Sequence, residues 1–195
     1  ETKTSIKIKP LKGTQLEIDN INKLFKDVNC TTETFSDSLA SEDNLKHVNS
    51  PDILHIATHG YFLKDDENSK IKRSISNLIN DDFKDNSYLK SGLLLAGAQN
   101  TLNNIDFKAL NNGIINGEEV KNLNLHNTEL VVLSACETGL GDNLVGQGVV
   151  GLQRAFMIAG AKCVIMSLWS VNDSKTQQLM TLFYNNMINS LSIVE

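Results

Sequence analysis

The sequence predicts an α/β domain in which helices cover both faces of a parallel β-sheet. Two continuous apolar runs, Asp52-Ile-Leu-His-Ile-Ala-Thr-His59-Gly60 and Leu130-Val-Val-Leu-Ser-Ala-Cys136-Glu-Thr-Gly139, have the length and the polar or glycine boundaries of buried strands. Segments with helical spacing alternate with such runs along the chain. This alternation is typical of a parallel α/β sheet.

Length and composition limit the classes of protein that the chain can form. The 195 residues suffice for one well-filled core and are too few for two ordinary domains, so we predict one domain over residues 1–195. A net charge of -5 without a dense Lys/Arg stripe argues against nucleic-acid binding. No apolar run approaches the roughly 18 to 20 residues that cross a bilayer, so no membrane association is predicted.

The three cysteines and the chain ends indicate the setting of the domain. The cysteines lack the even number and dense spacing of a disulfide framework, and no signal peptide precedes them, which predicts a reducing compartment such as the cytoplasm. The first residues resemble a strand and the last helix stops without a further element. We therefore expect a piece of a larger protein that lacks flanking segments.

Local patterns predict the elements at the start of the chain. Alternation over Ser5 to Lys9, ended by Pro10, predicts a short edge strand. A helix is predicted from Thr14, with Glu17 placed three residues later as in a capping box. Its expected buried stripe comprises Leu16, Ile21, Leu24 and Phe25.

A short strand over Val28 to Phe35 and a second helix are predicted before the His59 strand. Asp37 or Ser41 opens this helix, and Pro51 closes the turn that follows it. The residues expected to face inward are Leu39, Leu45 and Val48. The remaining elements are predicted in this order: a strand at 91–95, a short helix at 117–123, a strand at 130–135, a helix at 149–159 stopped by Gly160, a strand at 163–169 and a helix at 174–188.

The segment 61–90 loses the apolar period and is rich in Lys, Asp, Asn and Ser. Ordinary connections are only a few residues long, so a loop of about 30 residues beside a candidate catalytic histidine needs an explanation. Two interpretations remain open at this point: a flap that engages the substrate, or a disordered insertion.

His59 and Cys136 are the candidate catalytic pair. Both stand at the carboxyl ends of predicted strands, where ligands bind in open α/β sheets. A thiol with an ordinary pKa of about 8.5 needs a neighbouring base to act as a nucleophile, and His59 can take this proton and then protonate the leaving amine. The N–H groups of Gly60 and Cys136 are candidates for an oxyanion hole. The sequence therefore predicts a cysteine hydrolase.

Other residues of reactive type have simpler interpretations. We expect Cys30 and Cys163 to be structural residues, and His55 to be a core histidine with satisfied hydrogen bonds. A zinc site at the two histidines and Cys136 is disfavoured, because paired short metal-ligand spacing is missing. The run Gly146-Gln-Gly-Val-Val-Gly151 fits a dinucleotide pattern, but about ten residues separate it from the preceding strand. No metal and no cofactor are predicted.

Longer motifs give the chain a family resemblance. His55-Ile-Ala-Thr-His59-Gly60, Ser91-Gly-Leu-Leu-Leu95, the Cys136 strand through Gly139, Gly146-Gln-Gly148, the run from Arg154-Ala-Phe to Ala159-Gly160-Ala, and Ser167-Leu-Trp169-Ser-Val-Asn-Asp173 occur in this order. In these motifs the chain resembles the CHAT family of caspase-like cysteine peptidases, in the clan that contains separase. The resemblance spans roughly residues 10 to 187.

The resemblance implies a caspase-like three-layer α/β/α sandwich with a mostly parallel central sheet. It implies a dyad of His59 and Cys136 that cuts a peptide bond through a thioacyl intermediate, without a metal. Related domains are often attached to helical repeats, commonly of tetratricopeptide type, and act in bacterial defence or regulated proteolysis. A catalytically silent interaction module that binds a regulatory partner is the alternative from another class.

The resemblance also implies a substrate pocket, and the chain departs from the family in three places. In separase-like enzymes an acidic residue in the context of Asp173 is implicated in choosing a basic side chain before the cut bond. Asp173 serves equally well as the start of the next helix, and Asp142 is the second candidate for the pocket. The departures are Gln147 in place of an acidic residue, a longer loop after Tyr61, and the missing strand after the last helix.

Overall fold

The computed structural model describes residues 6–63, 74–75, 86–103, 111–137, 147–167 and 173–189. Within these residues five strands form one sheet: β1 (Ile53–Phe62), β2 (Ser91–Leu94), β3 (Ile114–Asn116), β4 (Leu130–Glu137) and β5 (Cys163–Met166). The strand order is β3-β2-β1-β4-β5. β1, β4 and β5 pair in parallel, whereas β2 runs antiparallel to both of its neighbours.

Helices cover both faces of this sheet. Their bounds are α1 (Thr14–Asp27), α2 (Glu42–Lys46), α3 (Ala98–Leu102), α4 (Gly117–Val120), α5 (Gln147–Ile158) and α6 (Asp173–Ile188), with a short 3₁₀ turn at Asp37–Leu39. α1 and α6 pack together against one face, and α4 and α5 lie together against the other. The predicted fold class, a mostly parallel three-layer α/β/α sandwich, is confirmed.

Alternation along the strands divides the core into clusters on the two faces. Ile56, Val131 and Leu133 face α5 and pack with Phe156, which is fully buried. On the opposite face Val132 packs with residues of α1 and α6. A further cluster lies beyond β2 and holds Tyr61, Leu63, Ile75, Leu89, Leu94, Ala98, Leu102 and Ile114. Because β1 and β4 are buried on both faces, their sequences are continuous apolar runs and do not alternate between apolar and polar residues.

Two strands predicted near the start of the chain are not formed by the described residues. Residues 6–9 form no strand, because side chains rather than a neighbouring strand bind their backbone. Ser5 lies outside the described residues. Val28 to Phe35 is irregular, since Asn29 takes a positive φ of 60° directly after α1 and turns the chain.

The predicted cap and inward faces of the first helices also need correction. α1 begins at Thr14 as predicted, but Gly13 precedes it without a side-chain cap, and Glu17 is buried instead of capping. Glu17 and Ile21 face the sheet, so Leu16 lies outward with 54% of its surface exposed. Leu39 is likewise exposed because α2 begins only after it, with Ser41 as the N-cap that accepts a hydrogen bond from Asn44.

The remaining predicted elements are present with small shifts at their ends. β1 continues through Phe62, so the segment predicted as a loop from residue 61 begins with two strand residues. Ile75, inside the same segment, is fully buried in the cluster beyond β2. Gly160 has a φ of 114° after α5, as expected for a glycine that ends a helix.

Gly92 on β2 is a position where the packing requires the absence of a side chain. A Cβ there would lie 2.3 Å from the carbonyl oxygen of Ile115 and 2.7 Å from the ring of Tyr61. Because one neighbour is backbone and the other is a buried ring, neither can give way cheaply. We expect Gly92→Ala to lower the free energy of unfolding by about 2 kcal/mol or more, measured by chemical denaturation.

A matched control for this substitution is Gly97→Ala. Gly97 is exposed, and its Cβ would meet nothing closer than 3.8 Å, although its φ of 96° is unfavourable for alanine. We expect its cost to be limited to this conformational strain, about 1 kcal/mol. A Gly92→Ala variant as stable as the wild type would contradict the close packing of Tyr61 over β2.

Candidate active site

The sheet brings the positions of His59 and Cys136 together. β1 and β4 are neighbouring parallel strands, and their register makes His59 and Cys136 direct Cα partners. Both residues lie near the carboxyl ends of their strands, where a crevice opens in α/β sheets. The sequence predicts that the strands ending at His59 and Cys136 are neighbours. Only the structure shows which residues of the two strands are paired.

The imidazole of His59 has a defined hydrogen bond on one side. His59 is buried, and its Nε2 lies 2.6 Å from the carbonyl oxygen of Lys9. Since a carbonyl oxygen only accepts hydrogen bonds, Nε2 carries the proton in this contact. In the neutral imidazole the lone pair is then on Nδ1, which is the nitrogen able to accept a proton.

The Lys9 carbonyl is the feature of this site that sequence reasoning missed. From the sequence, this segment is predicted only as an edge strand over Ser5 to Lys9, with no role at the site. A backbone carbonyl has no residue-type signal, so only the position of the segment in the fold identifies it as a partner of His59. Pro10, which follows it, was interpreted only as the end of a strand.

Gly60 lies at the end of the ladder between the two strands. It pairs with Leu93 on one side and with Glu137 on the other, and the Gly60–Glu137 pair is the last of the β1–β4 ladder. The N–H of Gly60 can therefore bind a substrate only if the Gly60–Glu137 pair separates. Separation of strands costs the least free energy at the end of a ladder.

The two candidate pocket residues differ in what the structure describes. Asp173 is the first residue of α6, one residue before the predicted helix start. Asp142 lies outside the described residues. The backbone position of Asp173 is the start of a helix. A carboxylate at such a position stabilises the helix, because the first N–H groups of the helix have no partners within it.

His55 is a core histidine with satisfied hydrogen bonds, as predicted. Its Nε2 donates to the carboxylate of Glu17 at 2.9 Å, so in the neutral ring Nδ1 accepts from the hydroxyl of Tyr184 at 3.0 Å. Glu17 and Tyr184 are 2% and 0% exposed. This network joins α1, β1 and α6 and uses both ring nitrogens, so His55 has no capacity left for a ligand.

The two other cysteines have different surroundings. Cys163 is half-buried on β5 and packs at the edge of the α1–α6 core. Cys30 is exposed, so its expected structural role as a core residue is wrong. Within the part of the chain that the structure describes, no three His, Cys, Asp or Glu side chains form a group that could hold a metal ion.

The glycine pattern that suggested a dinucleotide site has a packing explanation at Gly151. A Cβ at this position would lie 2.5 Å from the carbonyl oxygen of Ser87. Gly151 therefore lets α5 approach the segment that leads into β2. Gly146 lies outside the described residues.

Burial holds Tyr61 and Tyr184 in the neutral form. It raises the pKa of Tyr61 and of Tyr184 well above the ordinary 10.0, with smaller contributions from Glu119 and Glu17 respectively. The folded state then binds protons that the unfolded state releases above pH 10. Stability should fall as pH rises beyond that value, and tyrosinate absorbance from both residues should appear only with unfolding. Tyrosinate formation at these positions in the folded protein would contradict their burial.

The mostly parallel three-layer sandwich is consistent with the class of caspase-like domains, and its register places a histidine beside a cysteine at neighbouring strand ends. The CHAT domain family model matches residues 1–195, the whole chain. The chain therefore belongs to the CHAT domain family.

Curated relatives match a short part of the chain. Tetratricopeptide repeat protein 28 of Mus musculus is 38% identical over 63 residues, and the Homo sapiens protein of the same name is 36% identical over 63 residues. Each match covers 32% of this chain and 2% of the relative. No solved structure shows significant similarity. None of the helices that the structure describes is both long and apolar enough to cross a membrane.

Proposed function

We propose that this domain is a cysteine endopeptidase that cleaves a protein substrate with a dyad of Cys136 and His59. The single observation that carries the proposal is the register pairing of these two residues on neighbouring parallel strands. The hydrogen bond from His59 Nε2 to Lys9 adds support, because it leaves Nδ1 as the proton acceptor. Membership of a caspase-like family agrees with this chemistry.

The proposed reaction has two steps. Nδ1 of His59 takes the thiol proton, the sulfur of Cys136 bonds to the scissile carbonyl carbon, and the C–N bond breaks as the amine leaves with that proton. Water then attacks the thioacyl carbon and gives a proton to His59, the C–S bond breaks to release the carboxylic acid, and His59 returns the proton to the sulfur of Cys136. The N–H groups of Gly60 and Cys136 are proposed to bind the developing oxyanion, with the Gly60–Glu137 pair opened.

A peptide carrying a thiol-reactive chloromethyl ketone tests this proposal. The sulfur of Cys136 should displace chloride, and peptide mapping by mass spectrometry should find the adduct at Cys136 and not at the exposed Cys30. His59→Ala should slow the reaction. Labelling of Cys30 alone, with the fold intact, would favour the alternative of a catalytically silent interaction module.

Asp173 is proposed to select a basic side chain before the cut bond. Its place at the start of α6 fits this role and equally fits a helix start. We expect wild type to prefer Lys or Arg at this position in a peptide library, and Asp173→Asn to remove the preference. Asp142→Asn is the parallel test for the second candidate. If the preference survives both substitutions, neither residue forms the pocket.

The partner is proposed from the relatives and the cellular setting from the family. Their printed name describes tetratricopeptide repeat proteins, and this suggests that the domain acts beside a helical-repeat region or a regulatory protein. From membership of the CHAT domain family, and not from these relatives, we propose regulated proteolysis or bacterial defence in the cytoplasm as the context. Identification of co-purifying proteins with the full-length parent chain would test the partner.

A further inference from the structure

Two amide side chains bind the backbone of residues 6–9, a segment that forms no strand. The N–H of Ile8 donates to Oε1 of Gln99 at 2.7 Å, and the N–H of Ile6 donates to Oδ1 of Asn103 at 2.8 Å. Nδ2 of Asn103 donates to the carbonyl of Ile6 at 2.9 Å, and Nε2 of Gln99 donates to the same carbonyl. These contacts take the place of a neighbouring strand.

The spacing of the two amides matches the spacing of the backbone groups that they bind. Gln99 and Asn103 are four residues apart on and just after α3, which corresponds to about 6 Å along a helix. In an extended chain, residues two apart such as Ile6 and Ile8 would present their N–H groups to the same side about 6.6 Å apart. The two amides therefore bind the backbone of Ile6 and Ile8 in a fixed register.

The helix that carries these amides is itself fixed in the core. Ala98 and Leu102 of α3 are 1% and 2% exposed, and Ile6 and Ile8 pack against the same cluster. The hydroxyl of Thr101 donates to the carbonyl of Asn112 at 2.5 Å. The amides are consequently presented from a rigid support, as a positioning function requires.

The bound segment ends at the contact with His59. Lys9 directly follows Ile8, and its carbonyl oxygen lies 2.6 Å from Nε2 of His59. The register partner of His59 on β2 is Leu94, four residues before α3 begins. The stretch from Leu94 to Asn103 thus pairs with the backbone of His59 and also carries the amides that bind the segment ending at Lys9.

We propose that Gln99 and Asn103 are positioning residues that hold the Lys9 carbonyl against His59 and thereby fix the proton on Nε2. The inference rests on the proposed function, because it supplies the reason that Nδ1 is kept as the proton acceptor. Neither amide touches the reacting atoms. Both act through the backbone of residues 6–9.

The test uses the double variant Gln99→Met/Asn103→Leu, which keeps the size of both side chains and removes their hydrogen bonds. Nitrogen-15 NMR of the imidazole distinguishes the two neutral tautomers, and is measured in a Cys136→Ala background. We expect His59 to be predominantly protonated on Nε2 in the parent and to become a mixture of tautomers in the double variant. If the double variant does not fold, the single variant Gln99→Met, which removes one of the two amides, serves instead and should shift the tautomer of His59 in the same direction to a smaller extent.

A second measurement follows the alkylation of Cys136 by iodoacetamide as a function of pH, with peptide mapping to separate the three thiols. The double variant should react at least about tenfold more slowly near neutral pH, since thiol activation by a base accounts for larger factors than this. The matched control is Asn124→Leu, which removes an amide bridge to Asn49 at the opposite end of the sheet. It should change neither measurement.

The two parts of the experiment separate the two proposals. An unchanged tautomer of His59 in the folded double variant would overturn the positioning role, whatever Cys136 does. A tautomer shift without any preferential reaction of Cys136 in wild type would support the positioning role and contradict the proposed dyad.

Discussion

Cys136→Ala is expected to abolish cleavage of every peptide bond that the wild-type domain cuts, with a loss of about a thousandfold or more. His59→Ala should cause a loss of similar size. The thiolate carries out the attack and the imidazole manages its proton, so the two act as a unit and their effects should not add. The measurement is mass spectrometry of a peptide library incubated with each purified variant.

The controls separate loss of chemistry from loss of structure. Cys163→Ala removes a half-buried thiol on β5, and should cost about 1 kcal/mol in stability while cleavage per folded molecule persists. Cys30→Ala should affect neither property, because Cys30 is exposed. Undiminished proteolysis by Cys136→Ala or by His59→Ala would show that the nucleophile or the base lies elsewhere.

Glu17→Leu is expected to produce the largest loss of stability from a single polar substitution, about 3 kcal/mol in the free energy of unfolding. Glu17 is 2% exposed and accepts the hydrogen bond from His55 Nε2. Leucine leaves a buried ring N–H without an acceptor, in a place that water does not reach. Denaturant unfolding of the purified variant is the measurement.

Two comparisons sharpen this prediction. Tyr184→Phe removes only a hydroxyl from the same network, and should cost about 1 kcal/mol. Gln15→Leu on the same helix removes an exposed hydrogen bond to Asp19 and should change stability by less than about 0.5 kcal/mol. A Glu17→Leu variant as stable as Gln15→Leu would show that the buried network contributes nothing to folding.

The strands that carry the candidate site could be predicted because a strand that is buried on both faces has a continuous run of apolar residues. The runs ending at His59 and Cys136 became β1 and β4, and their parallel pairing follows from the α/β alternation. The satisfied state of His55 was also predicted, since its place inside the strand leaves it in the core. Its partners Glu17 and Tyr184 were not predicted, because they are 38 and 129 residues away in the chain.

The errors fall where a local pattern has more than one structural solution. Alternation over Ser5 to Lys9 indicates an edge strand, but residues 6–9 form none, and their backbone partners are the amides of Gln99 and Asn103. Glu17 has the spacing of a capping box and instead satisfies a buried histidine. In both cases a tertiary partner outcompeted the local interaction that the pattern favours.

By itself the sequence determined the fold class, the strands that carry His59 and Cys136, and the type of chemistry that these residues permit. Periodicity and residue type are properties of short stretches of chain, so they can be read without the fold. Only the tertiary structure decided the register that pairs the two positions, the Lys9 carbonyl that binds His59, and the amides that hold it. These depend on backbone groups and on distances between segments 50 to 97 residues apart, which no local pattern encodes.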